Sequence, residues 1–201
     1  KVFYGFLAFC LFSSASYLIN DLKDLPYDRQ HPKKKFRPIA SGTVGKTHAL
    51  VSIVALTTLG FFLALSLSLP FLIVSLLFFF LHIVYTFGMK KLPVFDILLI
   101  ALSFTLRGFA GEVLTGLHIP IWLILTIVFL SLFIASSKRH SELLAVGSAS
   151  RPVLLSYRER LLDFYATTFA TATLLSYALF VFFEEPPTFN VHTQEFLSFT
   201  F

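Results

Sequence analysis

Pro70-Phe-Leu-Ile-Val-Ser-Leu-Leu-Phe-Phe-Phe-Leu-His-Ile-Val-Tyr-Thr-Phe-Gly88 carries no charge and does not alternate between apolar and polar residues. A helix needs about 20 such residues to cross a bilayer. A strand of a membrane barrel needs about ten, and they alternate. Outward from this run, similar ones occupy about 3–19, 48–66, 94–113, 119–137 and 161–183, and another begins near 194. Composition agrees. Of 201 residues, 56% are apolar, 13% are charged and 26 are Phe, and the mean hydropathy is +0.81. A soluble domain is about a quarter charged and a disordered chain has low hydrophobicity, so both classes are excluded. The expected fold is all-α, one polytopic transmembrane helix bundle over 1–201. Lys1 leads straight into Val2 without an initiator Met, and Thr193 to Phe201 reads as the start of a further span. The chain is therefore expected to be a piece of a longer multispan protein.

The charges test the span count. Every Lys and Arg except Lys1 and Arg107 lies in alternate links. These are Asn20 to Thr47, the link with Lys90 and Lys91, and the link with Lys138, Arg139, Arg151, Arg158 and Arg160. The positive-inside rule puts these three links in the cytoplasm. A fused or split span would break the alternation downstream. The net charge of +5 is thus read as topology and attraction to membrane lipid headgroups, not as nucleic-acid binding. The lone Cys10 allows no internal disulfide and no cysteine metal cluster.

The first link carries chemistry. Asp21, Asp24 and Asp28 follow i, i+3, i+7 spacing and share a face on a continuing helix. Three carboxylates that close repel one another, and a hard divalent cation relieves this. Mg²⁺ is held by one or two carboxylates plus substrate phosphates. Lys33, Lys34, Lys35 and Arg37 follow, so metal on one side and cations on the other suit an Mg²⁺–diphosphate. Pro26 predicts a kink or helix end, with Asp28 reaching the site from the following turn. The competing reading is a solvated charged loop whose Asp and Asn residues cap helix ends.

Asn20-Asp21-x-x-Asp24-x-x-x-Asp28 at the cytoplasmic end of a span, followed by Arg37-Pro38-Ile39-Ala40-Ser41-Gly42, resembles the UbiA superfamily of intramembrane prenyltransferases. The resemblance implies a nine-helix bundle, of which this chain would be a fragment, with a central pocket opening to lipid. It implies that Asp21, Asp24 and Asp28 bind diphosphate through Mg²⁺, with Asn20 assisting. Most members carry a second Asp-rich motif. Here the corresponding link reads Ser137-Lys138-Arg139-His140-Ser141-Glu142-Leu143, then Arg151 and Tyr157. That pattern, with Leu106-Arg107-x-x-Ala110-Gly111 and Ile119-Pro120-Ile121-Trp122, is similar to one branch, the decaprenyl-phosphate phosphoribosyltransferases. The branch implies transfer of 5-phosphoribose from phosphoribosyl pyrophosphate to a polyprenyl phosphate, with release of diphosphate. The alternative is transfer of a prenyl group from a prenyl diphosphate to an aromatic or lipid acceptor.

In the phosphoribosyl reading the lipid phosphate is itself the attacking anion, so no general base is needed. No Ser/His/Asp or Cys/His arrangement competes for that role. The ribose 5-phosphate needs its own cations, for which Lys138, Arg139 and Arg151 lie in the right compartment; Tyr157 joins the same candidate set. Glu142 is read either as a metal or ribose-hydroxyl ligand or as a partner of Lys138. Arg107 lies mid-span, at a cost of about 2.5–3.5 kcal/mol on insertion scales. It is expected to contact a phosphate, with pairing to Glu112 or Asp96 as the alternative. A transporter would show inverted repeats and polar residues paired near the midplane; neither is visible.

Overall fold

The structure, a computed structural model, describes residues 1–146 and 158–183. Regular structure among these residues is entirely helical. Helix α1 spans Val2–Asp28; a 3-10 turn at Lys34–Phe36 leads to the short α2, Pro38–Ser41. Then come α3 (Lys46–Leu67), α4 (Leu69–Phe87), a 3-10 turn at Met89–Lys91, α5 (Phe95–Thr115), α6 (Ile121–Val146) and α7 (Glu159–Phe183). All six long helices are long and apolar enough to cross a membrane. The chain is an all-α, multi-pass membrane bundle.

Local chemistry sets the ends. Ser68 caps α4 by accepting the Phe71 N–H at 3.2 Å, with Pro70 in the first turn. Gly116, at φ 71°, ends α5 and returns its N–H to the Glu112 carbonyl at 2.8 Å. Val94 has φ 69°, and the Phe95 N–H meets the Pro93 carbonyl at 2.8 Å. This is a γ-turn, strained for a β-branched residue, and it swings the chain from the Lys90 link into α5.

Neighbouring helices pack in sequence. α1 lies against α3 and α4, α4 against α5, α5 against α6, and α6 against α7. Phe9, Phe12, Phe71 and Phe78 form the core between α1 and α4, with Ala8, Ala64 and Ala110 permitting close approach. Gly5 serves the same end, since a Cβ there would stand 2.9 Å from Leu114. Apolar side chains such as Leu174 and Phe182 point outward, as bilayer contact requires.

Two boundaries depart from the sequence reading. Pro26 does not end α1 or send Asp28 to a following turn; the helix continues through Asp28. In a final turn proline forfeits a single bond, and the Arg29 N–H still reaches the Leu25 carbonyl at 3.2 Å. Likewise α6 runs on to Val146, so Lys138, Arg139 and Glu142 ride on the helix instead of standing in a link. Hydropathy marks where apolar residues stop, whereas helical hydrogen bonding continues wherever the charged heads find partners. Arg151, Tyr157 and the segment expected from 194 lie outside the described residues.

Candidate active site

The C-terminal end of α1 gathers the acids. Tyr17, Asp21, Asp24 and Asp28 recur at intervals of three and four along one helix and so lie on one face. The element Arg37 to Gly42 folds back against them. Pro38 opens α2, and Gly42, at φ 86°, closes it. Ile39 and Ala40 bury against Leu25 and Ala49, which pins Arg37 below α1. There Arg37 Nη1 donates to both Asp21 Oδ1 at 2.8 Å and Asp28 Oδ2 at 2.9 Å. Lys90, from the turn after α4, donates to Asp24 Oδ1 at 2.5 Å and to Asn20 Oδ1 at 3.0 Å. Two cations therefore divide the three carboxylates.

In the sequence Lys90 marks only the topology of its link. The available signal was its link, since Lys90 and the acids both lie in the alternating basic links of the chain. Beside the box, His31 Nδ1 accepts the backbone N–H groups of Lys33 and Lys34 at 3.1 and 3.2 Å. Its pKa is lowered, first by desolvation and then by Lys34, against the opposing pull of Asp28. A neutral ring with a free Nδ1 lone pair is what those two donors need.

Among the described residues, no three His, Cys, Asp or Glu side chains come close enough to enclose a metal ion by themselves. The donors are all hard oxygens, and Mg²⁺ ordinarily takes one or two carboxylates, with phosphates and water completing its shell. The residues fit such an open site.

The remaining predicted residues fall in different places. Lys35 is exposed, its ammonium 5.1 Å from the Phe36 ring centre. Lys138 is exposed on α6. Arg139 is 1% exposed and committed to protein groups. Its Nε donates to Asp96 at 2.6 Å, Nη1 to Glu142 at 2.9 Å, and Nη2 to the Tyr85 hydroxyl at 3.2 Å. The fork assigned to a phosphate thus ties α4, α5 and α6 together. Glu142 is the partner of Arg139, and Asp96, in the first turn of α5, is its fully buried counter-ion. Arg107 pairs with neither Asp96 nor Glu112; the latter meets His118 at 3.1 Å.

A cavity of about 470 Å³ runs between α1, α4 and α5. Along α1 it extends from Val2 to Tyr17, one turn short of Asp21. Phe6, Phe9 and Phe71 form apolar walls, and Ser13 and Arg107 are polar lining groups. The cavity-lining face of α1 is continuous with the aspartate face. A smaller cavity of about 170 Å³, between α5 and α6, has no charged lining residue.

A model of the UbiA prenyltransferase family matches residues 1–191. The chain is 41% identical over 189 residues to the decaprenyl-phosphate phosphoribosyltransferase of Corynebacterium glutamicum, covering 89% of this chain and 55% of that protein. It is 37% identical over 187 residues to the enzyme of the same name from Mycolicibacterium smegmatis, covering 90% and 58%. The chain thus spans little more than half the length of these curated relatives. A UbiA homolog from Archaeoglobus fulgidus bound to DMAPP and Mg²⁺ superposes with TM-score 0.79 at 21% identity, over 98% of this chain and 72% of that one. The same homolog bound to GPP and Mg²⁺ gives 0.80 at 22% identity, over 98% and 71%.

Proposed function

The chain belongs to the UbiA prenyltransferase family, and on that premise we propose that it transfers 5-phosphoribose from phosphoribosyl pyrophosphate to a polyprenyl phosphate of the decaprenyl kind. The reaction releases diphosphate, depends on Mg²⁺ and takes place at the cytoplasmic face of a cell membrane. The relatives that are decaprenyl-phosphate phosphoribosyltransferases support the transferred group and the acceptor, and the Mg²⁺ of the solved homologs supports the metal. The observation that carries the reading is the continuity on α1 of an apolar cavity with an acidic box, interleaved with Arg37 and Lys90. That arrangement suits a ligand pair with a greasy tail and a polyphosphate head.

The bond from the anomeric carbon to the diphosphate oxygen breaks, and the leaving group keeps the electron pair. An oxygen of the lipid phosphate forms the new bond to that carbon. Asp21, Asp24 and Asp28, with Asn20 beside them, would supply one or two carboxylates at a time to a Mg²⁺ that also takes donor phosphate oxygens, and the metal would there supply charge neutralisation on the leaving diphosphate. Arg37 and Lys90 turn from the carboxylates to the outer phosphate oxygens, where a fixed cation lowers the cost of the departing charge. Lys35 and Lys138, exposed on the same side, attract the donor from solution.

The test supplies membranes holding the full-length protein with labelled phosphoribosyl pyrophosphate and decaprenyl phosphate, with and without Mg²⁺. Labelled lipid formed only with Mg²⁺ is the expected result. Turnover only with a prenyl diphosphate and a separate acceptor overturns it in favour of prenyl transfer, the reading suggested by the DMAPP and GPP of the solved homologs.

A further inference from the structure

Arg107 lies on α5, Phe95–Thr115, and its place puts it about 18 Å along the helix from the cytoplasmic start. Among the described residues it has no carboxylate within ion-pair distance; Asp96 is spent on Arg139 and Glu112 on His118. Its guanidinium instead stacks 4.9 Å from the Phe78 ring centre and 5.6 Å from that of Phe104, and donates to Ser13 Oγ at 3.1 Å. It is also part of the wall of the 470 Å³ cavity. A mid-span cation that lacks an acidic partner and faces an apolar cavity marks a binding site for an anion.

We infer that Arg107, with Ser13, receives the phosphate head of the polyprenyl acceptor; the inference rests on the transferase reading above. Ser13 precedes Asp21 by eight residues on α1, about 12 Å along its axis. Metal–oxygen contacts are about 2 Å and reacting atoms approach to about 3–3.5 Å. A diphosphate at the aspartates, a pentose carbon and an attacking phosphate therefore fit in line between Asp21 and Ser13. Beyond Ser13 the wall continues through Phe9, Phe6 and Val2, an apolar path for the tail. A free phosphate has no use for that path, whereas a single-chain lipid phosphate matches both the cation and the walls.

The experiment uses the full-length protein in nanodiscs with radiolabelled decaprenyl phosphate, decaprenol and inorganic phosphate. Wild type should bind the lipid phosphate about tenfold or more over decaprenol, as a charge-assisted contact requires, with little displacement by inorganic phosphate. Arg107→Met should abolish that preference and raise the KM for lipid phosphate by a similar factor, leaving the donor's KM in place. Arg107→Lys should recover part of it, and Ser13→Ala should show a smaller loss of the same sign. Full retention of the preference in Arg107→Met overturns the inference and leaves the transferase reading intact. A rise confined to the donor's KM, or complete displacement by inorganic phosphate, overturns it too. A wild-type protein without preference for the lipid phosphate removes the transferase reading itself.

Discussion

Arg37 and Arg139 are both arginines of the basic stretches that alternate between apolar runs, and the structure uses them in opposite ways. Arg37 is 38% exposed, and one of its nitrogens bridges Asp21 and Asp28. Arg139 is 1% exposed, and its Nε, Nη1 and Nη2 are each bonded to protein groups. A part-exposed bridging cation can turn toward an incoming phosphate because its own charge stays solvated as it moves, and the buried Asp28 it leaves would pass to the metal. A dry cation cannot leave a buried carboxylate without stranding it. The position of a charge along the chain is therefore insufficient to name a phosphate ligand; the burial of the arginine itself decides, since Asp28 and Asp96 are both buried carboxylates.

This contrast can be broken experimentally, most forcefully at the buried pair. Arg139→Met or Asp96→Leu should each destabilise the protein by about 3–5 kcal/mol, read as thermal unfolding in detergent, with the remaining folded protein keeping its donor KM. The double variant should recover much of the loss. A stable Arg139→Met with weakened donor binding would instead place Arg139 beside Arg37. At the open box, Asp21→Asn, Asp24→Asn and Asp28→Asn should each lower turnover by about 10²–10³-fold without altering membrane insertion. Activity surviving in all three removes the site. Lys90→Met should raise the donor's KM by about tenfold, the scale of one charge-assisted contact; an unchanged KM would leave Lys90 a structural partner of Asp24. The smallest effect belongs to Lys138→Glu. A few-fold rise in donor KM that shrinks with added salt is expected for an exposed charge, and flat kinetics would remove Lys138 from donor recognition.

Much of the site was legible because it is local. Asn20, Asp21, Asp24 and Asp28 share one helix, so spacing alone puts them on one face. Lys90 was not legible, because it arrives from 66 residues beyond Asp24 and only the packing of α1 beside α4 brings it there. The overhang of α6 was hidden for a related reason. Arg139 extends the helix past its apolar stretch because Asp96 and Tyr85 await it on α5 and α4. Arg107 stood out as a mid-span charge, yet its neighbours Ser13, Phe78 and Phe104 come partly from other helices.

By itself the sequence determined the class of molecule, the six helices long and apolar enough to cross a membrane and the acidic face of α1. Hydropathy, charge asymmetry and helical periodicity act along the chain and need no knowledge of neighbours. Only the tertiary structure decided which cations meet those acids, which arginine is locked in the interior, and that an apolar cavity runs along α1 to within one turn of Asp21. Those outcomes depend on distances between helices and on exclusion of water, and neither quantity is written in residue order.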